Sequence, residues 1–121
     1  MAKSIKEVTD IIVKFSEARG WKNEDPVDLI NALYIELAEL SEHYQWKHNF
    51  EDLDEDKKIE IGFEFVDIIF YLFRMAHNAG IDIEKFFDMK LPRLEEKFPI
   101  GGNPRKAHDE YRKSGKNKKY E

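Results

Sequence analysis

Cysteine is missing from the 121 residues altogether, which excludes disulfides, thiolate zinc sites and a cysteine nucleophile. No apolar run reaches the ~18–20 residues of a membrane span, and no charged-then-apolar leader precedes a small-residue cleavage site. A cytoplasmic protein with no membrane partner is therefore the expectation. Alternating apolar and polar residues never persist long enough to suggest a strand, and no internal repeat is visible. Glycine is sparse, at six residues, and forms no G-x-x-x-x-G-K-[ST] loop of the kind that cradles phosphate. None of His43, His48, His77 or His108 follows a glutamate by three positions, so the Glu-x-x-His pairs of ferritin-like di-iron bundles are also missing. The four serines offer no nucleophile: Ser4 reads as a helix cap and Ser41 as a helix-surface residue.

What the chain does have is charge and helical periodicity. Hydrophobic residues make up 41% and charged residues 37%, with a formal net charge of −5. The length suits one domain, small enough for self-association to help its stability. Residues 103–121 carry seven Lys/Arg against three Asp/Glu, a charge of +4, which leaves −9 on the rest. An acidic body of that kind argues against a nucleic-acid groove on it, so no nucleic-acid partner is expected, although the basic tail could still touch phosphates. Domain organisation is accordingly read as one helical domain over 1–102 and a basic tail over 103–121, solvated and partly disordered.

Four helices are expected. Ser4-Ile-Lys-Glu7 has the form of a capping box, and Ile5, Val8, Ile12 and Phe15 make one apolar face that ends by Gly20. Asp25-Pro26 starts the second helix, aspartate as N-cap and proline in the first turn. Its apolar stripe is Ile30, Leu33, Leu37, Leu40 and Tyr44. The third spans roughly 55–78 and stops at Gly80. Asp82 is read as the cap of the fourth, which runs to about Phe98, with Pro92 expected to kink or split it. Pro99, Gly101, Gly102 and Pro104 then end regular structure. Short loops and amphipathic faces imply an all-α, antiparallel four-helix bundle, completed by oligomerisation; Ile35, opposite the main stripe, suits an interface or lone exposure.

The third helix poses a chemical problem. Residues 63–73 read Phe-Glu-Phe-Val-Asp-Ile-Ile-Phe-Tyr-Leu-Phe, apolar except for Glu64 and Asp67. A helix apolar all round is normally surrounded by protein, and an enclosed carboxylate must be compensated or neutralised. The second helix offers a matching pair, Glu36 and Glu39, on the flank of its stripe, with Glu42 toward solvent. Four acids facing one space would suit Mg²⁺ or Mn²⁺, which prefer oxygen ligands. The rival is internal salt bridges to Arg74 or Lys90. His43 and His77 read as surface or packing residues.

The spacing Glu36-x-x-Glu39 followed by Glu64-x-x-Asp67 resembles the metal motif of the MazG-like, all-alpha NTP pyrophosphatases, in particular their dCTP pyrophosphatase-like branch. The resemblance extends to Phe15-Ser-Glu-Ala-Arg-Gly-Trp21, Pro26, Glu42-His-Tyr-Gln-Trp46, Asp67-Ile-Ile-Phe-Tyr71, Gly80-Ile-Asp82, Lys90 and Lys97-Phe-Pro99, with Gly115-Lys-Asn-Lys-Lys-Tyr120 as a C-terminal signature. It implies Mg²⁺-dependent hydrolysis of a nucleoside triphosphate to monophosphate and pyrophosphate, serving nucleotide-pool house-cleaning. Glu36, Glu39, Glu64 and Asp67 would hold the metal; on chemical grounds the attacking water is activated by that metal or by one carboxylate acting as base, Glu39 being the choice among them. Trp21, Trp46 and Tyr71 would form the base and sugar pocket. Lys90, helped by Arg93, would meet the phosphates, and the protein would be a homodimer or a dimer of dimers. Two positions depart from the pattern: Leu94, where many relatives carry asparagine, and Pro92. The alternative is a catalytically silent helical module that binds nucleotide or a protein partner.

Overall fold

A computed structural model describes residues 2–21, 24–51 and 53–114. It contains five helices and, among the described residues, no strand: α1 (Ile5–Ala18), α2 (Pro26–His43), α3 (Glu55–Asn78), α4 (Ile83–Lys97) and α5 (Pro104–Lys113). The chain divides into two compact units, one ending at Asp82 and the other beginning at Ile83.

In the first unit α3 packs against both α1 and α2. The start signals read for α1 and α2 are realised as expected. Ser4 accepts from the Glu7 amide while the Glu7 side chain accepts from the Ser4 amide. Asp25 accepts from the Val27 amide at 2.7 Å, with Pro26 in the first turn. Asp54 caps α3 through the Lys57 amide. The core is small: Ile12 (2% exposed), Leu29, Ile61 and Ile68 are its buried apolar side chains.

Two expectations change here. The face that α2 buries is rotated from the expected stripe. Leu29, Ala32, Leu33, Glu36, Leu40 and His43 are its buried or half-buried positions, whereas Ile30 and Leu37 are exposed. Glu36 thus lies on the packed face and not on its flank. The second change concerns α3, whose apolar circumference is not enclosed by the other helices of this unit. Ile59, Phe63 (66% exposed) and Val66 form one open stripe on it, and Phe65 and Leu72 are also exposed. A three-helix unit has too few elements to cover every face of its central helix.

In the second unit, α4 runs through Pro92 as one assigned helix and is not split. The segment read as an unstructured tail contains α5. Asn103 caps it by accepting from the Lys106 amide, and Pro104 starts it. α5 packs on α4 through Tyr111, which is buried. Its hydroxyl accepts from Arg93 at 3.2 Å, and the buried Lys97 ammonium lies 5.5 Å from its ring centre. The Gly115–Tyr120 signature lies outside the described residues. No helix among the described residues is long and apolar enough to cross a membrane.

Candidate functional site

Helical spacing brings the acids together. On α3, Glu64 and Asp67 are i,i+3 neighbours, and α2 presents Glu36 from its packed face. Oxygens of Glu36, Glu64 and Asp67 all lie within 4.8 Å of one another. Glu36 and Glu64 are half-buried, Asp67 and Glu39 exposed. One oxygen of each half-buried pair member, Glu36 Oε2 and Glu64 Oε2, is sealed from solvent with no hydrogen-bond partner. Orphaned carboxylate oxygens of this kind are rare in folded proteins and costly.

The electrostatics follow from crowding. Burial pushes the Glu36 carboxyl up to about 7 from an ordinary value of 4.5, aided by the charges of Glu39 and Asp67, a hydrogen bond with Glu39, and the charge of Glu64. Glu64 is raised as well, first by burial, then by Glu39 and Asp67, while His43 pulls it back. That imidazole Nε2 is 3.8 Å from Glu64 Oε1. A bound divalent cation would offset the crowded negative charge, and hard oxygen donors, two of them without a hydrogen-bond partner, fit such an ion.

One of the two expected counter-charges for the acids is otherwise engaged. Arg74 is 7% exposed and binds Glu24 twice, donating from Nε to Oε1 at 3.2 Å and from Nη2 to Oε2. It therefore does not serve as the counter-charge of Glu64 and Asp67.

The aromatic residues fall into two groups. Tyr71, half-buried, sits one turn beyond Asp67 on α3. Trp21 follows α1, where Gly20 at φ +76° reverses the chain and the Trp21 amide donates to Ser16 O at 2.9 Å. Both rings face the Arg74 guanidinium, at 5.1 Å for Trp21 and 5.3 Å for Tyr71. Trp21 also meets Phe15 edge-on at 5.9 Å. Trp46, by contrast, stands 89% exposed after α2 on a left-handed backbone, φ +68°. That conformation disfavours any residue with a Cβ. Lys90 and Arg93 lie half-buried on α4, in the second unit; Arg93 there engages Tyr111.

Sequence reasoning missed His43 and the Glu24–Arg74 pair. Helical spacing carried a signal for His43 and for Arg74, but none for Glu24. His43 is two turns beyond Glu36 on α2, and Arg74 continues the α3 line of Glu64, Asp67 and Tyr71.

Comparison with known proteins adds an independent observation. A family model described as dUTPase matches residues 3–116. Among curated relatives, the dCTP pyrophosphatase 1 proteins of Rattus norvegicus and Mus musculus are each 22% identical over 102 residues, and that of Bos taurus is 24% identical over 102 residues. The alignments cover 80% of this chain and 60% of each relative's length.

Proposed function

We propose, on the premise that this chain belongs to the MazG-like, all-alpha family whose model is described as dUTPase, that it is a Mg²⁺-dependent nucleoside triphosphate pyrophosphohydrolase. The reaction is (d)NTP plus water to (d)NMP plus pyrophosphate, and a deoxycytidine-like pyrimidine nucleotide is the substrate class suggested by the names of the three relatives. The observation that carries the reading is the triad of Glu36, Glu64 and Asp67 within 4.8 Å, two of whose oxygens have no partner.

Glu36, Glu39, Glu64 and Asp67 would hold Mg²⁺, with Mn²⁺ as a substitute. The ion would offset the charge of the phosphates and stabilise the pyrophosphate leaving group. Glu39, the exposed acid beside the cluster, is assigned the proton of the attacking water. Trp21, Trp46 and Tyr71 are assigned to the base and sugar, where stacking on one ring is worth ~1–3 kcal/mol. Lys90 and Arg93 are assigned to the phosphates. The exposed stripe on α3 supports a homodimer or dimer of dimers, acting in the cytoplasm on free nucleotides.

Phosphorus NMR of the protein with Mg²⁺ and a panel of NTPs and dNTPs tests the reaction. Metal-dependent appearance of monophosphate and pyrophosphate is expected. Diphosphate and orthophosphate, or product without metal, would overturn it.

A further inference from the structure

We propose that Arg74 and Glu24 form a positioning clamp that fixes Trp21 and Tyr71 for the nucleotide; the inference rests on the assignment of those two rings to the base and sugar. A guanidinium 7% exposed is stable only with a well-placed counter-charge, and the two-point pairing with Glu24 supplies one. Arginine suits the place because its planar fork pairs with a carboxylate at two points and stacks on aromatic faces together.

The connectivity gives the pair its role. Glu24 lies in the connection between α1 and α2, immediately before the Asp25 cap. Arg74 is on α3, one turn beyond Tyr71. Their bond ties the connection that carries Trp21 to the helix that carries Glu64 and Asp67. The guanidinium lies over both rings, 5.1 Å from the centre of Trp21 and 5.3 Å from that of Tyr71. A cleft of about 210 Å³ opens beside it, bounded by Trp21, Glu24, Arg74 and Asn78 among others. Neither member of the pair belongs to the acid cluster. Loss of the clamp should therefore loosen nucleotide binding and leave the chemical step alone.

The test uses Arg74→Lys and Glu24→Gln in the full chain. Each is expected to raise KM for the best substrate of the NMR panel about tenfold, with kcat within about twofold. Circular dichroism would show native helix content in both. A second arm needs no turnover. Trp46→Phe leaves Trp21 as the sole tryptophan, the chain having two. Adding Arg74→Lys to that background should at least double acrylamide quenching of Trp21. Unchanged KM together with unchanged quenching would overturn the clamp, as would a fall in kcat matched to any rise in KM. If the native chain hydrolyses no nucleotide, the proposed function fails, and the quenching arm alone decides whether the pair holds Trp21.

Discussion

At the scale of single residues, the acid cluster makes a prediction about pH. Glu36 is held near 7 in the fold against an ordinary 4.5, so the fold favours its protonated form. The resulting stabilisation is full below about 4.5, declines as pH rises, and is lost above about 7. Glu64, also raised, acts in the same direction. In metal-free protein, the melting temperature of the native chain minus that of Glu36→Gln should fall across this window. A difference that stays flat from pH 4.5 to 7.5 would contradict the cluster's geometry. At neutral pH, saturating Mg²⁺ should restore the native chain, because a ligand of the folded form at a hundredfold excess over Kd adds about 2.7 kcal/mol; the glutamine variant should gain less. The acids themselves were legible from the sequence, since carboxylates three residues apart in apolar surroundings demand a compensating group. Which residue would answer Arg74 was not, because Glu24 lies fifty positions away and only the folded connection between α1 and α2 brings it near.

At the scale of helices, legibility followed locality. Capping is written in four or five consecutive residues, and Ser4, Asp25 and Asp54 all cap as their neighbours dictate. Asn103-Pro104 carries the same signal as Asp25-Pro26, yet beside Pro99 and two glycines it reads as a terminator. The structure shows it opening α5. Packing faces were harder to read, because the buried side of an amphipathic helix depends on its partner: α2 meets α3 along Leu29, Leu33, Glu36 and Leu40, one step round from its most apolar stripe. The cap on α2 is testable. Asp25→Ala removes the acceptor of the Val27 amide and leaves that first-turn donor without its side-chain partner. Urea denaturation should show a loss of about 1 kcal/mol, largely recovered by Asp25→Asn. An equal loss in both would mean that the carboxylate acts through charge and not as a cap.

At the scale of the whole molecule, the chain exposes more apolar surface than a monomer comfortably carries. On α3 the open stripe of Ile59, Phe63 and Val66 is joined on α2 by the separate exposure of Val27, Tyr34 and Ile35. The sequence made this visible in one respect: a helix apolar on every side needs neighbours, and three helices cannot supply them all. Light scattering coupled to size exclusion should give two or four times 14.4 kDa for the native chain. Phe63→Glu should shift it toward the single-chain mass while circular dichroism stays helical, since the side chain is 66% exposed within one chain. A native mass of one chain would remove oligomerisation from the account.

The line Glu64, Asp67, Tyr71 and Arg74 along α3 gives that helix the character of a ruler. Seven residues separate Asp67 from Arg74, and at 1.5 Å each the span is about 10 Å. A loop could let that spacing drift, but a helix of 24 residues fixes it. In a nucleotide hydrolase, the phosphate end and the ring end of the site would then be graduations on one rigid element. Substrate length would be gauged by the backbone itself, and only the ring end, tied down from across the loop, would remain open to adjustment.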